Sequence, residues 1–153
     1  MSVRMTSAGE YGWVSTPRGY AYSRTYPGGN PWPAVPERIL KIWDTLSRTK
    51  RAPECCLINF YGEGAKMGLH QDRDEADFDQ PVVSVSLGDD ALFRIGNLTR
   101  GGSTQSVWLK SGDVVVMPAE ARLRYHGIDR VKFGSSDLLE RHGRINITLR
   151  VVT

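Results

Sequence analysis

The chain has 153 residues, 40% of them hydrophobic and 24% charged, with a net charge of +3, two cysteines and three histidines. That length suits one domain with a core large enough to need no disulfide staple, and the balance of apolar to charged residues excludes wholesale disorder. No apolar run approaches the ~18 residues of a membrane span, and the start, MSVRMTSAGEYGW, lacks the apolar core of a signal peptide. The adjacent pair Cys55 and Cys56 has neither zinc-site nor disulfide-framework spacing, so reduced thiols and a cytoplasmic setting are expected. The charge permits an anionic partner without specifying one.

Residues 1–34 are crowded with Gly, Pro, Tyr and Trp (GEYGW, RGYAYS, YPGGNPWP), which predicts tight turns and short strands. Taken singly, these aromatics read as anchors to the core; clustered on turns, they could also form a stacking surface for flat ligands. The segment PERILKIWDTLSR, 36–48, is the clear helix. Ile39, Ile42, Trp43 and Leu46 recur at helical spacing, Pro36 suits a first turn, and Asp44 and Arg48 are spaced to pair. From Cys56 the period becomes two: CLINFY sets Leu57, Asn59 and Tyr61 on one face and Ile58 and Phe60 on the other. GEGAKMG turns the chain. VVSVSLG, ALFRIG, SVWLK, DVVVMP, RLRYHGI and RINITLRV are then predicted as short strands between turn residues. Many short strands without alternating helices predict a mainly β sandwich or jelly roll and no second domain.

The last strand sets Arg144, Asn146, Thr148 and Arg150 on one face and Ile145, Ile147, Leu149 and Val151 on the other. Its polar face either meets water, as most do, or lines a cavity that holds an anion, a task to which the planar arginine fork is suited. The histidines bear on that choice. His70 and Asp72 stand two apart in LHQDRDE and point the same way in extended chain, and His126 lies on a separate predicted strand. Two histidines and a carboxylate make the facial triad of ferrous oxygenases, which leaves coordination positions open. HxD alone is a weak motif; its order among the other motifs makes it informative.

NFY, GEGAKMGLHQDRDE, PVVSVSLG, GDVVVM, RLRYHGI and RINITLR together resemble the AlkB family of iron(II)- and 2-oxoglutarate-dependent nucleic-acid dealkylases, most of all its bacterial members. The likeness runs from Trp13 through YAYS and PWPA to Arg150. It implies a double-stranded β-helix, a jelly roll, with one or two packing helices, over a single domain of residues 1–153 whose first 34 residues contribute to a nucleotide-recognition lid. By the same resemblance His70, Asp72 and His126 are the iron ligands and catalytic centre. Asn59, Tyr61, Arg144, Asn146 and Arg150 form the 2-oxoglutarate pocket, with Arg144 on the distal carboxylate and Arg150 near the metal-side one. A dianionic cosubstrate would account for two buried cations. Trp13 matches the lid aromatic that stacks on a flipped base opposite His70; Tyr20, Tyr22, Asp74 and Arg100 match further substrate contacts. Asp74 and Arg100 read by themselves as a solvated turn residue and a surface charge.

The implied reaction is oxidative dealkylation of N-alkylated bases in DNA or RNA, using iron(II), 2-oxoglutarate and O2 and releasing succinate, CO2 and formaldehyde. A monomer acting on alkylated nucleic acid is the expected form, on single-stranded DNA first, with double-stranded DNA or RNA as open alternatives, and with no membrane. Bacterial members of the family carry sequence ahead of the position matching Met1, so a lid short at its N-terminus is expected. Met117 stands where the bacterial pattern has a tryptophan, and His142 matches no ligand and is expected at the surface. Two other classes remain open: an oxygenase of the same core acting on protein or small molecules, and an inactive binding module.

Overall fold

A computed structural model describes residues 3–153; Met1 and Ser2, part of the segment expected to contribute to the lid, lie outside the described residues. The elements follow one another as β1 (Arg4–Gly9), β2 (Gly12–Thr16), β3 (Gly19–Ser23), α1 (Glu37–Leu46), β4 (Cys55–Tyr61), β5 (Met67–His70), β6 (Val82–Gly88), β7 (Asp90–Ile95), β8 (Gln105–Leu109), β9 (Val114–Met117), β10 (His126–Lys132) and β11 (Arg144–Arg150). A major sheet runs β1-β4-β11-β6-β9, a minor sheet β5-β10-β7-β8, and β2 and β3 form a separate hairpin. Among the described residues the fold is mainly β with a single α-helix, and no helix is long and apolar enough to cross a membrane. This is the expected jelly roll. The first 34 residues divide, however: β1 completes the edge of the major sheet, and β2–β3 form a hairpin of their own.

Strand alternation decides where the core and the cavity lie. On the outward face of the major sheet Cys56, Val83, Val85, Ile147 and Leu149 pack against Trp43 of α1, with Ile39 and Ile42 beside it. Each such fully buried side chain contributes about 1.5–3 kcal/mol. The inward face of the same strands carries Asn59, Asn146, Arg144 and Arg150, all buried. Both faces of β11 are thus covered, one by the helix layer and one by the minor sheet.

Local departures from the expected elements have physical causes. Pro36 is the N-cap of α1, with ψ 138°, and its carbonyl receives the first helical N–H groups from Ile39 and Leu40. Leu46 remains 37% exposed at the helix end. Arg48 has left the helix, with φ 56°, so it is not on the helical turn that would face Asp44. The segment RLRY is turn rather than strand, and β10 begins only at His126. Its alternation misleads because Arg122 points inward to Glu75, at 0% exposure, while Arg124 is tied to the Gly96 carbonyl. His142 is half-buried in the loop before β11, with Nδ1 3.0 Å from the Ser136 carbonyl, rather than a free surface residue. That loop is gathered by the buried Asp89, whose carboxylate accepts the N–H groups of Gly134, Ser136 and Gly143.

The β2–β3 hairpin is held by Trp32, which is 8% exposed and donates its indole N–H to the Ser23 carbonyl. Its ring lies directly on Gly12, where any Cβ would fall inside the indole. Gly12→Ala should therefore lift the hairpin from Trp32 at an overpacking cost of about 1–3 kcal/mol. A lower Tm with a red-shifted indole emission is the expected result; unchanged melting and emission would refute the tight contact.

Candidate metal and cosubstrate site

A cavity of about 320 Å³ lies between the sheets. The inward faces of β4 and β11 supply Asn59, Tyr61, Arg144, Asn146 and Arg150; β5 and β10 supply His70 and His126; the hairpin supplies Trp13 and Tyr20 at the mouth, near Asp72 and Asp74. Met5 and Met117 add apolar wall.

Strand pairing brings the two histidines together. His70 is the last residue of β5 and sits directly opposite His126, the first of β10. Gly127 permits the approach, since a Cβ there would press on the carbonyl oxygens of Met67 and Gly68 at 2.5 and 2.8 Å. The two rings are 4.6 Å apart between centroids. One ligand atom from each of His70, Asp72 and His126 falls within 4.8 Å of the others, so the three could hold a metal ion. The Nδ1 atoms face backbone carbonyls, His70 at 2.9 Å from Gly68 O and His126 at 3.0 Å from Arg124 O. A carbonyl can only accept, so each Nδ1 carries a proton, and in the neutral imidazoles each Nε2 lone pair is left for an ion, as metal-binding histidines require.

Charge in this corner is balanced by protein groups. Burial pushes the Asp72 carboxyl up, but the Arg150 guanidinium and then His126 outweigh it and hold the group well below the usual range. Burial and the neighbouring His126 lower the pKa of His70, favouring its neutral form. His126 goes the other way, because its bond to Asp72 and the charge on that carboxylate overcome burial. Arg150 donates to Asp72 Oδ1 at 2.9 Å and to the Tyr22 hydroxyl at 3.1 Å, and lies 3.4 Å from Glu75 Oε1. It therefore has anionic partners of its own, and the expectation that a dianion must balance two buried cations narrows to one.

That one is Arg144. It is 1% exposed, gives one N–H to Ser86 Oγ at 3.0 Å, and has neither Nε nor Nη1 bonded. Its guanidinium stands 5.1 Å over the Tyr61 ring, and burial lowers its pKa. Arg150 Nε is likewise a buried donor without a partner, whereas Asn59 Oδ1 is a buried acceptor without one. Buried donors left unbonded inside a cavity mark a missing acceptor, and a carboxylate fits the free guanidinium edge. The residues thus suit a small dicarboxylate beside a metal. Asn146 is more committed: its amide nitrogen donates to Ser84 Oγ and the Val85 carbonyl, and its oxygen accepts from Thr148. It lines the cavity with no N–H to spare.

Among the expected substrate residues, Trp13 and Tyr20 stack at 5.5 Å and 15° at the mouth. Asp74 lines it too, its carboxyl pushed up by burial and then by the charge of Glu75. Tyr22 and Arg100 do not line the cavity. Tyr22 meets Trp13 edge-on and turns its hydroxyl down to Arg150 and Glu75. Arg100 is exposed and lies over the Tyr125 ring. Sequence reasoning passed over Glu75 and Arg122, a buried pair 2.9 Å apart beneath the site. The run Asp72, Asp74, Glu75 was visible as acidic, but nothing in it showed that its last member is buried.

The model of the 2OG-Fe(II) oxygenase superfamily matches residues 1–150. An AlkB homologue of Caulobacter vibrioides, an alpha-ketoglutarate-dependent dioxygenase, is 52% identical over 151 residues, covering 98% of this chain and 69% of the relative. The Escherichia coli alpha-ketoglutarate-dependent dioxygenase AlkB is 43% identical over 155 residues, covering 98% and 71%. The solved structure of OsALKBH1 superposes with a TM-score of 0.82 at 33% identity, over 98% of this chain and 78% of that one.

The two arginines should respond oppositely to removal. Arg144→Met deletes an unpaired buried cation, so the protein without cosubstrate should melt no lower than the parent while losing the upward Tm shift that saturating 2-oxoglutarate produces. Arg150→Met deprives Asp72 of its cation and should cost about 3–5 kcal/mol in denaturant unfolding. A strongly destabilised Arg144→Met that keeps its 2-oxoglutarate shift would contradict the assignment.

Proposed function

This chain belongs to the 2OG-Fe(II) oxygenase superfamily, in its AlkB family of nucleic-acid dealkylases, and on that footing we propose that it strips alkyl groups from ring nitrogens of damaged bases, working as a monomer on single-stranded DNA. It is an iron(II)- and 2-oxoglutarate-dependent dioxygenase. The observation that carries the substrate reading is the aromatic mouth: Trp13 and Tyr20, stacked on a hairpin, open onto the same cavity as His70, Asp72 and His126. We read residues 1–153 as one catalytic domain and place it in the cytoplasm, a setting that suits its two free, buried cysteines.

His70, Asp72 and His126 would hold iron(II), and Arg144 would take the distal carboxylate of 2-oxoglutarate, with Asn59 and Tyr61 alongside. When bound, iron with 2-oxoglutarate and O2 supplies oxidising power: 2-oxoglutarate ends as succinate and CO2, and the hydroxylated N-alkyl carbon leaves as an aldehyde, formaldehyde for a methyl group. The chain's own part is placement. Trp13 offers one face of a slot for a base drawn out of its stack, with His70 across from it. Extrusion costs a few kcal/mol, least for a base whose lesion already weakens its pairing. Asp74 sets a carboxylate at the mouth, where an N-alkylated, cationic base gains Coulomb attraction. Tyr22 serves here as the tie between lid and Arg150 rather than as a contact to the base. Arg100, outside the cavity, meets the strand beyond the extruded nucleotide. The apolar flank of Met117 closes the wall behind the metal ligands.

A methylated oligonucleotide should yield formaldehyde and succinate only with iron(II), 2-oxoglutarate and O2 all present. Turnover of a methylated peptide instead, with none on any nucleic acid, would overturn the substrate assignment. His70→Ala should abolish turnover through loss of a ligand. Trp13→Ala should weaken binding of the damaged strand while sparing 2-oxoglutarate consumption without substrate; equal loss of both would make Trp13 structural.

A further inference from the structure

Beneath the cavity, charges alternate through four buried side chains. Arg122 Nη2 pairs with Glu75 Oε2 at 2.9 Å, Glu75 Oε1 lies 3.4 Å from Arg150 Nη1, and Arg150 Nη2 donates to Asp72 Oδ1 at 2.9 Å. The Tyr22 hydroxyl donates to Glu75 Oε1 at 2.7 Å and accepts from Arg150 Nη1 at 3.1 Å. Glu75 is 5% exposed and Arg122 0%, and neither lines the cavity. A buried pair with no contact to the reacting groups adds little stability over apolar packing, so its place next to Arg150 calls for another explanation.

We propose that Glu75 is a positioning residue for the metal centre, holding Arg150 in the orientation in which its guanidinium takes one oxygen of Asp72 and leaves the other to the ion. The inference rests on the reading of His70, Asp72 and His126 as the metal ligands. Arg150 is gripped at both ends of its fork, Nη2 by Asp72 and Nη1 by Tyr22 and Glu75. With Oδ1 engaged, Asp72 Oδ2 is the oxygen that stands 3.5 Å from His126 Nε2. A one-oxygen carboxylate with two imidazoles leaves three of six positions open; a carboxylate closing on the ion with both oxygens would take a fourth. Glu75 also shares the charge of Arg150. Without it the whole cation would fall on Asp72, withdrawing the carboxylate's electrons from the ion and adding a repulsive charge nearby. Arg122, 2.9 Å from the second oxygen of Glu75, balances the charge of that carboxylate, while Tyr22 and Arg150 hold the first oxygen in place.

Anaerobic titration of the full chain with cobalt(II), followed by its ligand-field absorption, tests this without substrate or turnover. Glu75→Gln should bind cobalt(II) about 10–100-fold more weakly, the usual effect of losing a group that supports a metal ligand, with an altered band pattern. Because Glu75→Gln strands Arg122 and could fail to fold, the double variant Glu75→Gln/Arg122→Gln, which removes both buried charges, should show the same weakening. Arg122→Gln alone leaves Glu75 on Arg150 and should keep the parent spectrum. A folded double variant with the parent's affinity and spectrum would overturn the proposal and leave Glu75 as no more than the partner of Arg122. Parent-like cobalt binding by His70→Ala would instead overturn the ligand assignment itself, and the proposal with it.

Discussion

A carboxylate enclosed between two sheets cannot stay ionised unless a cation stands against it, and in this protein that cation is Arg150. Its bond to Asp72 at 2.9 Å holds the carboxyl well below the usual carboxylate range and so favours its charged form. Without that charge the two imidazoles would face a neutral acid, and the three groups would offer a metal little. The architecture can be followed outward from this contact. Arg150 ends β11, the central strand of the major sheet, and its inward direction follows from the pleat that also turns Leu149 and Val151 toward the helix layer. One strand thereby anchors the hydrophobic core and the charged site at once.

The two arginines of β11 are chemically alike and electrostatically opposite. Arg150 is charge-paired by Asp72 and Glu75 and bonded to Tyr22, so it belongs to the protein's own framework. Arg144 keeps most of its hydrogen-bonding capacity unused in a sealed position. A folded chain retains such an unpaired cation only at a cost in stability, and a bound carboxylate recovers that cost as affinity. The cavity therefore has a charge-paired cation at one end of the strand and a cation with unused hydrogen-bonding capacity at the other.

The β2–β3 hairpin pairs with neither larger sheet, and a two-stranded ribbon has little stability of its own. Its attachments include the Trp32 indole on Gly12, the Trp13 N–H on Ser7 Oγ, the packing of Trp13 and Tyr22 against Leu57 and Val152, and the bond from Tyr22 to Arg150 and Glu75. The last joins the hairpin to the residue that holds Asp72 charged. Tyr20 is left 63% exposed, stacked on Trp13 beside the cavity.

Period-two alternation determined much from sequence alone. It separated Asn59 and Tyr61 from Ile58 and Phe60, and Arg144 and Arg150 from their apolar neighbours, because in a strand a side chain's face follows from its parity. The helix core of Ile39, Ile42 and Trp43 was equally legible, as was the set His70, Asp72 and His126 once its order among the motifs was seen. Alternation failed at RLRY, where an inward arginine imitates an outward one, and it was silent on the Tyr22 hydroxyl, which bonds Glu75 and Arg150. Which cation is paired and which is free was not written in the sequence. Arg144 and Arg150 look equivalent there, and Glu75 and Arg122 look like surface charges. The difference lies in contacts between residues far apart in the chain, Arg150 with Asp72 and Arg122 with Glu75, and the energy of a buried charge depends on its neighbours in space rather than on its neighbours in sequence.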